Sequence, residues 1–72
     1  MELLETMAAR IRILRKQNGL TQKNMAEIMG CTPSHYQKIE YGQINVPTTT
    51  LAFFAEYFNV SADYLLGRTE EP

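Results

Sequence analysis

The stretch Leu20–Gly42, LTQKNMAEIMGCTPSHYQKIEYG, decides how the rest of this 72-residue chain is read. Thr21 stands where a helix N-cap is needed, because its hydroxyl can accept a bond from an early backbone N–H that has no partner within the helix. Met25, Ala26 and Met29 then share one face of a helix over Gln22–Met29, and Gly30 can take the left-handed conformation that stops it. Asn24 occupies the position where a capping box favours Glu or Gln, so a weak cap is expected. Thr32 caps a second segment with Pro33 in its first turn, where the missing N–H costs nothing. Tyr36 and Ile39 give that segment an apolar edge, and Pro33, Ser34, His35, Gln37 and Lys38 are left pointing outward.

Only Gly30 and Cys31 separate the two helices, too little chain for them to lie antiparallel, so the geometry expected is a helix-turn-helix. Upstream, Leu4, Met7, Ala8, Ile11 and Leu14 recur at steps of three and four, which predicts an amphipathic helix over 3–18. Gly19 stops it and Leu20 returns to the core. Downstream, YGQINVP is a loop, and one of Thr48, Thr49 and Thr50 starts a fourth helix through Phe58, with Leu51, Phe54, Ala55 and Phe58 inward. Asn59 breaks that helix, Ser61 caps a short last one over 62–66, and Gly67 closes it. The expectation is one compact all-α domain of five helices over 1–68, with 69–72 as a frayed tail.

Composition narrows the function. At 44% hydrophobic residues the chain is a folded module, and a single cysteine, Cys31, excludes an internal disulfide. His35 alone cannot complete a metal site with Cys31, and no catalytic set or glycine-rich phosphate loop is present, so neither an enzyme nor a cofactor is expected. No apolar run is long enough to span a membrane and no leader is seen, so a cytoplasmic location is expected. The net charge of −1 hides an asymmetry. Residues 1–38 carry six basic and three acidic side chains, a surplus of +3, whereas 39–72 carry one basic and five acidic, net −4. The first half is the better candidate to meet a polyanion.

In this order and spacing, RIRILRKQNGLTQKNMAEIMG, CTPSHYQKIEYG and FNVSADYLLG resemble the DNA-binding domain of Cro and phage-repressor proteins, the XRE-type helix-turn-helix family. The resemblance covers about Arg10 to Arg68 and implies a lambda-repressor-like fold in which the third helix reads DNA. It places Pro33, Ser34 and Lys38 at base-facing positions and Gln22 at the family's phosphate-contacting glutamine. Lys23 stands beside Gln22 at the start of the second helix, where backbone N–H groups and the helix dipole favour a phosphate. Thr32, His35 and Gln37 along the third helix, and Gln43 and Asn45 in the following loop, complete the expected DNA-binding set. The resemblance also implies a structural ion pair between Arg15 and Glu40.

Lys38 can donate to guanine O6 and N7, Ser34 to several base edges, and Pro33 can offer apolar contact to a thymine methyl. The loop after the third helix lacks the usual cations, so a modest salt dependence is expected, with Arg10 or Arg12 as reserves. Phe53 and Tyr57, four apart, turn away from the Leu51, Phe54, Phe58 stripe and are a possible dimer patch, with burial under the first helix as the alternative. The expected protein is a bacterial or phage transcriptional repressor binding double-stranded DNA as a homodimer on a palindromic operator, with no small-molecule pocket. A protein-interaction module of the same fold, with weak or no DNA binding, is the alternative.

Overall fold

The computed structural model describes residues 2–72, which form five helices and, among them, no strand. These are α1 (Glu2–Gln17), α2 (Gln22–Met29), α3 (Pro33–Glu40), α4 (Thr48–Tyr57) and α5 (Ala62–Leu65). Each boundary lies within a residue or so of the expected one.

Three of the helices start on a hydroxyl. Thr21, Thr32 and Ser61 accept from the backbone N–H of Asn24, His35 and Tyr64, at 3.0, 3.1 and 3.0 Å. The cap expected to be weak is a closed box, because Asn24 Oδ1 also accepts from Thr21 N at 3.0 Å, so the shorter amide reaches as Glu or Gln would. Helix α4 starts at Thr48, one of the three expected threonines, but no side chain caps it. Its N-cap is Pro47, which has no side chain able to bond, and the helix is opened only by the Pro47 carbonyl, which accepts from Thr50 N and Leu51 N at 3.0 and 3.1 Å.

All five helices stop by one device, in which a residue two or three past the end donates back across the last turn. The donors and acceptors are Leu20 to Arg15, Cys31 to Ala26, Gln43 to Lys38, Val60 to Ala55 and Arg68 to Asp63, at 2.9–3.1 Å. The residue just before each donor is left-handed, and in four cases it is glycine, with Asn59 at φ 54 the exception. Gly67 is needed for space as well, since a Cβ there would lie 2.7 Å from Thr6 Cγ2.

Met7, Ile11 and Leu14 of α1 meet Met25 and Ala26 of α2, Tyr36 and Ile39 of α3, Phe54 and Phe58 at α4, and Leu65 of α5 in one buried cluster. Burying each large member contributes about 1.5–3 kcal/mol relative to leaving it in water. Helices α2 and α3 pack directly on each other, with Ala26 only 1% exposed, so the small side chain sits where their close crossing needs it. Helix α1 lies across α3 and α5 and holds them in one block of 29 × 25 × 20 Å.

Residues 69–72, expected to fray, carry hydrogen bonds of their own. Arg10 Nη1 donates to the carbonyls of Tyr64 and Thr69 at 2.6 and 2.7 Å, its guanidinium lies 4.3 Å above the Tyr64 ring, and Ser61 N donates to the Pro72 carbonyl at 2.9 Å. A lone arginine with carbonyl partners leaves no sequence signal. No helix among the described residues is long and apolar enough to cross a membrane.

Candidate nucleic-acid interface

Helix α3 is divided lengthwise. Tyr36, Ile39 and Glu40 are at most 1% exposed, while Pro33, Ser34, His35 and Lys38 are open to solvent. Ser34 and Lys38 are four residues apart and therefore share an edge, and Tyr41, three residues on, prolongs it past the end of the helix. Tyr41 is 54% exposed. It was not among the residues expected from the sequence, although its i+3 spacing from Lys38 is a legible signal. Thr32 is exposed, but its hydroxyl oxygen is occupied as the cap of α3.

The buried edge is fixed by charge as well as by packing. Arg15 of α1 grips Glu40 with two parallel bonds, Nε to Oε2 and Nη2 to Oε1, both 2.8 Å, and Nη1 donates to the Leu20 carbonyl at 2.7 Å. A two-pronged guanidinium–carboxylate contact is among the stronger polar interactions a protein makes. Burial alone would raise the Glu40 pKa, but the bonds from Arg15 and Gln22 and the Arg15 charge outweigh it and hold the carboxyl below its ordinary value. The same bond raises the Arg15 pKa further. Tyr36 lies against this pair, and burial, followed by the neighbouring Glu40 carboxylate, pushes its phenol far upward, so it stays protonated. Its hydroxyl has no hydrogen-bond partner of good geometry among the described residues.

Gln22, at the first position of α2, joins that network. Its amide nitrogen donates to Glu40 Oε1 at 3.3 Å and to the Tyr41 hydroxyl at 3.4 Å, and its oxygen accepts from Gln37 Nε2 at 3.2 Å. Gln37, expected to point outward, is half-buried because it turns toward α2. Lys23 beside it is exposed. The start of α2 and the open edge of α3 are thus brought together on one side of the molecule.

The remaining expected residues lie on α3 itself, in the loop after it and on α4. His35 and Asn45 both line a surface depression of about 400 Å³, together with Cys31, Ile39 and Ile44. Asn45 Oδ1 accepts from Val46 N at 3.2 Å, and Gln43 is exposed. Phe53 and Tyr57 stack at 5.6 Å and 18°, with Tyr57 42% exposed, and Phe53 shares a shallow hollow with Ile28 and Met29. Ile28, itself 41% exposed, extends that apolar surface beyond the expected pair.

Charge supply is smaller than the sequence suggests. Arg10, named as a reserve cation, is committed to Tyr64, Thr69 and Glu70, and Arg15 to Glu40, leaving Arg12, Lys16, Lys23 and Lys38 as the exposed cations of the first three helices. Among the described residues no cluster of His, Cys, Asp and Glu could hold a metal ion.

The model of the helix-turn-helix family matches residues 11–65. An uncharacterised HTH-type transcriptional regulator of Bacillus subtilis (strain 168), YobD, is 38% identical over 63 residues, 88% of this chain and 56% of that protein. Control protein C.SmaI of Serratia marcescens is 34% identical over 68 residues, 94% of this chain and 81% of that one. Among solved structures, the DNA-binding domain of BldD from S. venezulae superposes with a TM-score of 0.76 at 25% identity, covering 92% of this chain and 99% of that chain. The chain spans about half the length of the Bacillus subtilis relatives it matches.

Proposed function

The chain belongs to the Cro and phage-repressor type of the helix-turn-helix family, and from that membership we propose that it is a sequence-specific DNA-binding regulator of transcription that represses by occupying its operator. The observation that carries this reading is the division of α3. One edge is locked into the core, and the other presents Pro33, Ser34 and Lys38 to solvent. A helix fits the major groove of B-form DNA, where each base pair shows its own pattern of donors and acceptors. Lys38 is assigned to guanine, Ser34 to a polar base edge and Pro33 to a thymine methyl.

Gln22, Lys23 and the first N–H groups of α2 take a phosphate beside that edge, with the positive end of the helix dipole behind them. Thr32, His35, Gln43 and Asn45 supply polar contacts to the backbone. With Arg10 and Arg15 engaged inside the fold, few cations reach phosphates, so few counterions are released and the salt slope is shallow. Two copies meeting through Phe53, Tyr57 and Ile28 would read a palindrome with half-sites about 34 Å apart, one DNA turn.

Selection of random duplex DNA on the purified protein at low salt, repeated with Lys38→Ala, tests the reading. A palindromic motif whose half-site changes with the substitution is expected. Absence of any enriched sequence would shift the assignment to a protein-interaction module built on the same scaffold.

A further inference from the structure

We propose that Gln37 is a positioning residue that fixes the carboxamide of Gln22, so that an amide proton and not the carbonyl oxygen faces the DNA backbone; this rests on the DNA-binding reading above. The orientation follows from what each neighbour can accept. Glu40, ionised and gripped by Arg15, can only accept a hydrogen bond, so Gln22 must turn its NH2 toward it. The Gln22 oxygen is thereby aimed at α3, where only a donor fits, and Gln37 Nε2 supplies one at 3.2 Å. The second Gln22 amide proton is left at the Tyr41 hydroxyl, 3.4 Å away, a long and weak bond on a residue that is 54% exposed.

That proton is the one a phosphate can take over without disturbing the buried network. Tyr41 needs nothing in return, because its hydroxyl can turn to donate to the same phosphate or to water. Gln37 therefore acts through Gln22. It ties the phosphate-gripping start of α2 to the base-reading edge of α3, so that the two approach DNA as one rigid surface. Lys38, its neighbour on the outward edge, has no such partner and remains the reader of sequence.

The test is a double-substitution cycle using Gln37→Met, which keeps the packing volume and removes the donor, together with Gln22→Ala. Affinity is measured for the selected operator and for a set of single-base-pair variants of it, with melting curves to show that each protein is folded. Gln37→Met is expected to weaken binding about three- to tenfold, the size of one lost hydrogen bond, by the same factor on every duplex. In the Gln22→Ala background the same change should cost nothing further. A loss confined to one base pair, a loss that persists without the Gln22 side chain, or no loss at all would overturn the proposal. Failure of the unsubstituted protein to retain any DNA would overturn the DNA-binding reading itself, and this proposal with it.

Discussion

Helix α1 holds the rest of the molecule with two arginines five residues apart, and they work differently. Arg15 ties α1 to the end of α3 through a carboxylate that is itself fully buried. Arg10 ties α1 to α5 and the last residues through two backbone carbonyls, a tyrosine ring and Glu70, whose side chain is 93% exposed. Removing Arg15 strands a charge in the core, whereas removing Arg10 leaves neutral carbonyls that water can reach with modest local opening. Two positions on α1 thus serve different parts of the fold: Arg15, in its last turn, fixes the buried edge of α3, and Arg10, at mid-helix, holds α5 and the last residues.

The largest effect expected is therefore from Arg15→Ala, a loss of roughly 3–5 kcal/mol in unfolding free energy by denaturant titration, mostly the cost of an uncompensated Glu40. Arg10→Ala should cost less, about 1.5–3 kcal/mol, and should leave DNA affinity unchanged at temperatures where the variant is folded. If Arg10→Ala proved as costly as Arg15→Ala, the distinction between the two arginines would fail.

Acid sharpens the contrast. The Glu40 carboxyl titrates below its ordinary value of 4.5 in the folded protein, so its stabilisation is complete above that pH and is lost as pH falls through the lowered folded value. Melting temperature should drop steeply on that acid limb, and Glu40→Gln should flatten the limb while lowering stability at neutral pH. An acid limb as steep in Glu40→Gln as in the original protein would locate the sensitivity elsewhere. Smallest of all is Glu70→Ala: its partner keeps two carbonyl bonds and the pair is open to solvent, so the melting temperature should not move.

Much of this was legible from the chain because local chemistry and global fold agree. Thr21, Thr32 and Ser61 cap where the apolar periodicity begins, and Gly19, Gly30 and Gly67 stop what they follow, so most helix boundaries could be read directly. The start of α4 was less legible, because three consecutive threonines offer three starts; the helix begins at Thr48 with no side-chain cap. At the candidate site, the exposed edge of α3 follows from the spacing of Tyr36 and Ile39. The inward turn of Gln37 does not, because it depends on where Gln22 stands, and periodicity within one helix carries nothing about its neighbour. Arg10 was invisible for the same reason, since carbonyl partners have no side-chain identity to match.

The proposed division of α3 into an edge that holds the fold and an edge that meets DNA is tested most directly by Lys38→Ala, with melting temperature and operator affinity measured on the same preparation. An unchanged melting temperature with affinity reduced at least about tenfold is predicted, since Lys38 lies on the exposed edge and one good base contact is worth that much. Undiminished affinity, or a loss of affinity that merely follows a loss of folded protein, would contradict it.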